Sequence, residues 1–238
     1  MNPHGKIWAV VPVKELDRSK GRLSPLLSRE ERCGFARAML LDVLNALRHS
    51  RALAGIIVVT RDEEVVTFAR ACNAEVLIDH GAGSMTAAVA MAARQVQTMA
   101  DAGMLVVPAD VPLITPEDIE TIMEAHAPPP AITIVPAERD GGTNLLLCTP
   151  SEAISFHFGE DSCERHRQAA CERGILPRTI RVERAALDLD RPEDIADFMR
   201  LSSSTRAYAW LLSNGIGERL RPHVSSPGDT KSEASLVS

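Results

Sequence analysis

Apolar segments of strand length alternate with longer amphipathic segments along most of the chain. This alternation is typical of βαβ units, in which a helix connects neighbouring strands. The predicted strands are residues 6–13, 54–60, 75–78, 103–108, 131–136, 143–148 and 178–182, and the predicted helices are residues 29–49, 62–72, 84–101, 116–126, 162–173 and 191–200. We therefore predict an α/β fold with a mixed, mainly parallel sheet and helices on both faces.

The first predicted strand runs directly into a loop that is rich in cations. The loop carries Lys14, Arg18, Lys20 and Arg22 and ends at Ser28, which forms a Ser-x-x-Glu capping box with Glu31. Ligands of open α/β sheets bind outside the carboxyl ends of the strands, so these cations are placed to hold a polyphosphate. A solvated basic loop would show the same spacing and stays open as the alternative.

Three aspartates are candidate metal ligands. Asp110 follows a predicted strand and lies between Pro108 and Pro112, which restrict its backbone. Asp188 and Asp190 are two residues apart, so in an extended segment both carboxylates face one side. Mg²⁺ prefers oxygen ligands, commonly carboxylates together with substrate phosphates. The alternatives are that Asp190 is a helix N-cap and that Asp110 caps a loop.

Two further segments are candidates for binding a small anion. Gly141 and Gly142 would allow a ligand to approach the backbone, and Thr143 adds a hydroxyl donor, although a hairpin turn is the competing interpretation. Gly159 precedes a predicted helix for which Ser162 is the expected N-cap, and the free N–H groups of its first turn suit a phosphate or carboxylate. The acidic pair Glu160–Asp161 would oppose such an anion.

Other residue patterns give weaker signals. Residues 81–84 precede a predicted helix and form a candidate nucleotide loop, but they do not make the G-x-G-x-x-G of a dinucleotide site. His157 and His166 lack the spacing of a metal pair, so they are not predicted ligands. The five cysteines are odd in number and include no C-x-x-C pair, which favours thiols in the core over disulfides or zinc.

Composition narrows the class of protein. The chain has 238 residues, 45% of them hydrophobic, which allows one sizeable core or at most two small ones. Its net charge of −6 argues against a general nucleic-acid binder. No apolar run is long enough to span a membrane and no signal peptide is evident, so we expect no membrane contact and a cytoplasmic location. We predict a domain at 1–200 and a tail at 201–238, with a short helix near 207–212 and disorder from 222.

Five motifs, taken together and in order, resemble the 2-phospho-L-lactate guanylyltransferase family of coenzyme F-420 biosynthesis. They are V-P-V-K-x-L-x-x-x-K-x-R-L-S at 11–24, P-A-D-V-P-L at 108–113, D-G-G-T-N at 140–144, F-G-x-x-S at 158–162 and L-D-x-D-x-P-E-D at 187–194. The resemblance covers about residues 6–199. It implies a single-domain nucleotidyltransferase fold, Rossmann-like and of the GT-A type, that uses GTP and Mg²⁺.

The resemblance also implies roles for individual residues. The family's phosphoacid-binding positions fall on Thr143, Gly159 and Ser162, and its metal-binding carboxylates fall on Asp110, Asp188 and Asp190. The nucleotide loop of the family corresponds to 83–87, where Gly83 is retained and Thr86 replaces the usual Asn. From charge we expect Lys14, Lys20 and Arg22 to act as catalytic cations that hold the leaving pyrophosphate.

We therefore predict an enzyme that transfers GMP from GTP to a three-carbon phosphorylated acid and releases pyrophosphate. The acid is 2-phospho-L-lactate, phosphoenolpyruvate or 3-phospho-D-glycerate, and the product passes to the transferase that builds the deazaflavin coenzyme. The alternatives are a molybdopterin or sugar-phosphate nucleotidyltransferase and a non-catalytic GTP-binding regulatory domain. Trp210 and Leu211 are expected to dock on the domain or on a partner subunit, so a homodimer stays open.

Overall fold

The computed structural model describes residues 5–81, 83–100, 102–139 and 141–220. Its strands are β1 Lys6–Pro12, β2 Gly55–Thr60, β3 Glu75–Ile78, β4 Ala102–Val106, β5 Ala131–Pro136, β6 Thr143–Thr149 and β7 Arg178–Thr179. Its α-helices are α1 Arg29–His49, α2 Glu63–Ala71, α3 Met85–Gln97, α4 Pro116–Ala125, α5 Ser162–Glu172, α6 Glu183–Ala186, α7 Pro192–Arg200, α8 Arg206–Ser213 and α9 Ile216–Arg219. Asp140, the first residue of the D-G-G-T-N motif, and the segment from 222 that is predicted to be disordered lie outside the described residues.

The described strands form a seven-stranded sheet in the order β3-β2-β1-β4-β6-β5-β7. β1 pairs in parallel with β2 and β4, β2 with β3, and β5 with β7, whereas β6 runs antiparallel to both β4 and β5. The predicted mixed, mainly parallel sheet is therefore confirmed. Because β6 is reversed, its first residue lies at the edge of the sheet where β1 and β4 end.

Alternate residues of the strands are buried on opposite faces of the sheet, as the pleat requires. Ala9, Val11 and Leu105 belong to the cluster that includes residues of α1, α4, α7 and α8. Val10 and Met104 belong to the other cluster, which includes residues of α3 and α5. Helices thus cover both faces, as predicted.

β7 is shorter than the predicted strand 178–182. Ile180 still donates its N–H to Ile134 O over 3.0 Å, but Val182 is already the N-cap of α6. The chain therefore leaves the sheet to enter a short helix that the apolar pattern did not indicate.

The helix predicted near 207–212 is α8, and it packs on α1. The Asp42 carboxylate accepts the N–H groups of Arg206 and Ala207 at 2.9 and 2.8 Å, and the rings of Trp210 and Phe35 are 5.7 Å apart. α8 therefore docks on its own chain, although the boundary at residue 200 stays a prediction. No helix in the described part of the chain is long and apolar enough to cross a membrane.

Candidate active site

A large cavity opens at the edge of the sheet where the parallel strands β1–β4 end. Its volume is about 840 Å³. The described residues that line it lie at or after the ends of β1, β2, β3 and β4, in α1, at the start of α3, and in the segments 158–160 and 190–191. This is the edge at which ligands of open α/β sheets bind, and the volume suits a small molecule. The cavity is therefore the candidate active site.

The cation-rich loop after β1 is ordered by its own turns and by its contact with the start of α2. Residues Leu16–Arg18 and Gly21–Leu23 form two turns of 3-10 helix. The N–H of Leu16 donates to the Asp62 carboxylate over 2.9 Å. Lys20, between the two turns, adopts φ of 55°, a left-handed conformation that non-glycine residues seldom take.

Lys20 is buried in an ion-pair cluster. Its side chain is 8% exposed, and its Nζ lies 2.7 Å from Asp110 Oδ2 and 2.5 Å from Asp190 Oδ1. Burial acts to lower the pKa of Lys20, but attraction to the two carboxylates outweighs it and raises the pKa above its usual value. Burial acts to raise the pKa of Asp190, and attraction to Lys20 reverses that effect and lowers it. The alternative of a solvated basic loop is therefore wrong for Lys20.

The other predicted cations lie nearer to solvent. Lys14, Arg18 and Arg22 all line the cavity. The side chain of Arg22 is 63% exposed and its Nη1 lies 3.6 Å from Asp190 Oδ2, while that of Arg18 is 73% exposed and pairs with Glu15 at 3.3 Å. Lys14 and Arg22 are thus available to an anion that enters the cavity.

Asp188 carries an unfavourable charge in this arrangement. Its carboxyl is partly buried and accepts the Asn144 side-chain amide over 3.3 Å. Burial, followed by repulsion from Asp110 and Asp190, raises the pKa of Asp188 to about 6. Asp188 lines a second, smaller cavity of about 300 Å³, and Asp190 lines both cavities. The structure thus brings the three predicted metal ligands within electrostatic range of one another.

The alternative that Asp190 is a helix N-cap is wrong. Arg191 is the N-cap of α7, and the Asp194 carboxylate accepts the N–H groups of Asp190 and Arg191 at 3.1 and 2.7 Å. The side chain of Asp190 contacts Lys20 instead. In addition, the N–H of Leu189 donates to Asp110 O over 3.1 Å, which joins the two acidic segments directly.

The carboxylates of Asp110, Asp188 and Asp190 are oxygen ligands of the kind that Mg²⁺ prefers, although they are not arranged as a preformed metal site. Within the described ranges, no three His, Cys, Asp or Glu side chains are grouped so as to hold a metal ion. Lys20 bridges Asp110 and Asp190, whereas Asp188 has a carboxyl whose charge is disfavoured. Oxygen donors with excess negative charge are what a hard divalent cation requires.

A second group of site residues, around Thr143, is uncharged. Thr143 Oγ1 lies 3.0 Å from His166 Nδ1, and His166 Nε2 accepts the N–H of His157 over 3.0 Å. Thr143 and His166 are 7% and 0% exposed, and burial, with repulsion from His157, lowers the pKa of His166 to about 4. A single buried imidazole therefore joins the start of β6 to the segment before α5.

Ser162 is the first residue of α5 and not its N-cap, so that part of the prediction is wrong. The N-cap is Asp161, which has φ of 55° and makes no side-chain capping bond. Ser162 is 1% exposed, and the neighbouring Cys163 donates its N–H to Gly141 O over 3.0 Å. Gly159 has φ of +120° and lines the large cavity, whereas Thr143 and Ser162 are not among its described lining residues.

The segment before Thr143 is a hairpin connection, as the competing interpretation held. β5 and β6 are antiparallel neighbours, and the N–H of Ala137 donates to Gly142 O over 3.0 Å. Its contact with Cys163 nevertheless places the hairpin against the start of α5. The hairpin turn is therefore compatible with a role of this segment in binding a small anion.

The predicted nucleotide loop meets the segment before α5. Gly83 has φ of +70° and lines the cavity, and Ser84 caps α3 by accepting the N–H of Ala87 over 3.2 Å. Thr86 Oγ1 accepts the N–H of Phe158 over 3.0 Å. Thr86 thus stands at the junction between the loop before α3 and the Gly159 segment.

Sequence reasoning missed two residues of this region. Asn144 belongs to the quoted D-G-G-T-N motif, and its amide donates to the carbonyls of Ala185 and Ala186 at 2.9 and 3.0 Å as well as to Asp188. His166 was considered only as a metal ligand. Its spacing of four residues from Ser162 puts both on one face of a helix, a signal that could have joined them.

The chain matches the family model described as "Guanylyl transferase CofC like" over residues 7–232. It is 38% identical over 190 residues to a phosphoenolpyruvate guanylyltransferase of Rubrobacter xylanophilus, covering 80% of this chain and 92% of the relative. It is 32% identical to a 2-phospho-L-lactate guanylyltransferase of Methanothermobacter thermautotrophicus, covering 87% and 90% of the two chains. A 3-phospho-D-glycerate guanylyltransferase of Colwellia psychrerythraea is 34% identical, with 82% and 91% covered.

A solved structure also shares the fold. It is a protein of Desulfovibrio desulfuricans G20 described as a nucleotide-diphospho-sugar transferase, with a TM-score of 0.71 at 16% identity, covering 92% of this chain and 99% of that one. At that identity, the likeness concerns the fold alone.

Proposed function

The chain belongs to the CofC-like guanylyl transferase family, and from that premise we propose that it transfers GMP from GTP to a three-carbon phosphorylated acid. The acids named by its relatives, phosphoenolpyruvate, 2-phospho-L-lactate and 3-phospho-D-glycerate, are the candidate acceptors. The observation that carries the proposal is the buried Lys20, which is ion-paired to Asp110 and Asp190 at the carboxyl ends of the parallel strands. This cluster supports the proposal because ligands of open α/β sheets bind at this edge, and fixed charges there could stabilise a reacting triphosphate.

The reaction requires positioning more than proton transfer. The acceptor's phosphate oxygen is already ionised near neutral pH, so it attacks the α-phosphorus of GTP without a general base. The new bond joins that oxygen to the α-phosphorus, and the bond to the β-phosphate breaks to release pyrophosphate. Catalysis then rests on in-line alignment and on neutralising the developing charge, a role we assign to Lys14, Lys20 and Arg22.

Mg²⁺ is the proposed metal, and Asp110, Asp188 and Asp190 are its proposed ligands. When bound, it would offset negative charge on the phosphates. The raised pKa of Asp188 supports this assignment, because a carboxyl whose negative charge is disfavoured gains most from a nearby cation. Lys20 would keep the Asp190 carboxylate ionised, since it lowers the pKa of that group.

The two substrates would bind in adjacent parts of the site. GTP would occupy the large cavity between the cationic loop and the segment with Gly83 and Thr86. The acid would bind beside Gly159, Thr143 and Ser162, where backbone N–H groups and hydroxyls are close at hand. The guanylylated acid would then be consumed by the transferase of coenzyme F-420 biosynthesis in the cytoplasm.

The test is pyrophosphate release by the full chain with Mg²⁺, GTP and each of the three acids in turn, with product masses determined. We expect release only when GTP and one acid are both present, and little with ATP or CTP. Release with a sugar phosphate or molybdopterin instead would favour the rival enzymes of this fold. GTP binding without turnover on any acceptor would favour a regulatory domain.

A further inference from the structure

We propose that His166 is a positioning residue for the acceptor acid: it fixes the hydroxyl hydrogen of Thr143 so that Thr143 binds the acid as a hydrogen-bond donor. The inference rests on the proposed function, in which Thr143 contacts the acid. It extends that function to a side chain that lies outside the described lining of both cavities.

The hydrogen bonds define which nitrogen of His166 carries the proton. A backbone N–H can only donate, so the N–H of His157, 3.0 Å from His166 Nε2, requires a lone pair on Nε2. A neutral imidazole then carries its hydrogen on Nδ1. Nδ1 lies 3.0 Å from Thr143 Oγ1, so it donates to that oxygen.

This donation determines what the Thr143 hydroxyl can do. Its oxygen accepts the hydrogen from Nδ1, so its own hydrogen has to point to another acceptor. A hydroxyl held in this way favours ligand groups that only accept, such as carboxylate or phosphate oxygens. The complete burial of His166 and its low pKa support a neutral ring at neutral pH.

His166 also fixes the segment that contains Gly159. It holds the backbone of His157, and the Phe158 ring packs edge-on against it with centroids 5.0 Å apart at 68°. Phe158 is in turn held by Thr86 through its N–H. His166 therefore sets the position of Thr143 relative to Gly159, two of the three proposed acid contacts.

The chain offers a matched control in His126. This second buried histidine lies 2.8 Å from Thr133 Oγ1 and 2.8 Å from Thr149 Oγ1, at the opposite end of β6. Replacing it removes the same kind of buried imidazole without touching the candidate site. Its variants thus measure how far stability and kinetics change when a buried histidine is lost away from the candidate site.

The experiment compares His166→Phe, His166→Asn and His126→Phe by steady-state kinetics. We expect His166→Phe to raise the KM for the acid tenfold or more while GTP binding stays within about twofold. His166→Asn, whose amide can replace the Nδ1 donor, should recover most of the loss. His126→Phe should lower the melting temperature and leave both KM values near those of the wild type.

The nitrogen NMR spectrum of the wild-type histidines keeps the test decisive if a variant does not fold. An Nδ1–H tautomer at His166 supports the proposal, and an Nε2–H tautomer or a charged ring at pH 7 overturns it. Equal KM changes for acid and GTP, or no change in His166→Phe, also overturn it. If wild-type enzyme is inactive with every acid, the proposed function itself fails, which is a distinguishable result.

Discussion

The two halves of the candidate site are built in opposite ways. The charged half, Lys20 with Asp110, Asp188 and Asp190, is held by ion pairs that leave excess negative charge at Asp188. The neutral half consists of Thr143, Ser162 and His166 with the His157 N–H. It is held by hydrogen bonds between uncharged groups, and the Ser162 N–H donates to Gly159 O over 3.2 Å. In the proposed function, the charged half binds a cation and a polyphosphate, which would balance its excess charge. The neutral half would only orient a small anion, and its donors are already arranged in the unliganded protein.

The difference has an energetic consequence for the unliganded protein. Carboxylates that are partly buried beside one another destabilise the fold until a cation joins them. A satisfied network of neutral groups costs little when no ligand is bound. We therefore expect changes in the charged half to separate activity from stability, and changes in the neutral half to separate acid binding from GTP binding.

The largest effect should come from Lys20→Met. It leaves Asp110 and Asp190 without their buried partner, so we expect activity to fall about a thousandfold and stability to fall by about 1–3 kcal/mol. Pyrophosphate release and thermal melting measure the two. The control is Arg22→Met, which removes a cation that is 63% exposed and should lower activity less, with no change in melting. A Lys20→Met enzyme with near wild-type turnover would contradict this account.

Asp188→Asn should change activity and stability in opposite directions. Turnover should fall about a hundredfold, because a proposed metal ligand is lost. At pH 7 the metal-free protein should gain about 1–2 kcal/mol, since a partly buried carboxyl with a raised pKa is replaced by a neutral amide. Added Mg²⁺ should stabilise the wild type more than this variant. Glu164→Gln, at an exposed carboxylate paired with Arg167, is the control that should change neither. Equal stabilisation of wild type and variant by Mg²⁺ would exclude Asp188 as a ligand.

Thr143→Ala and Ser162→Ala test the neutral half. Each should raise the KM for the acid by at least about tenfold, because a hydrogen bond to a charged group contributes roughly 1.5–3 kcal/mol. GTP binding measured without acid should stay within about twofold. The matched control is Thr149→Ala, which loses a bond to His126 at the far end of β6. Weaker binding of both substrates to the same extent would mean that this region contacts the nucleotide.

The charged half was predictable from sequence, and the neutral half was predictable only in part. Lys20, Asp110, Asp188 and Asp190 are charged residues that follow strand-like or extended segments, and sheet topology brings strand ends together. The direct contact of Lys20 with two of these carboxylates depends on its left-handed backbone, which no pattern of residue types indicates.

For the neutral half, the resemblance supplied Thr143, Gly159 and Ser162, but not the residue that connects them. The role of His166 depends on its tautomer and on two partners at sequence separations of 23 and 9 residues. Local patterns cannot carry that information. The fold was easier to predict, because hydrophobic periodicity located most strands and helices closely. The exceptions are the short helices α6 and α9, which were not predicted, and α3, which ends at Gln97 and not at residue 101.

The smallest expected effect, the pH dependence of wild-type stability, arises because the two halves oppose each other. His166 has a pKa of about 4 when folded and 6.5 ordinarily, so the unfolded chain binds more protons between those values and stability falls as pH drops from 6.5 to 4. Asp188 has a pKa of about 6 against 3.8, so the folded chain binds more protons and stability rises as pH drops from 6 to 4.

Each contribution is roughly 2–3 kcal/mol before solvent screening, so the metal-free wild type should show little net change from these two groups between pH 4 and 6.5. Asp188→Asn should uncover the His166 contribution and lose stability more steeply on acidification than the wild type. His166→Asn should uncover the Asp188 contribution, so this variant should lose stability on acidification less steeply than the wild type. Denaturant melts at pH 4, 5 and 6.5, compared as differences from wild type so that other groups cancel, measure both slopes. If the stability of both variants changed with pH in the same direction relative to the wild type, the contrast between the charged half and the neutral half would be wrong.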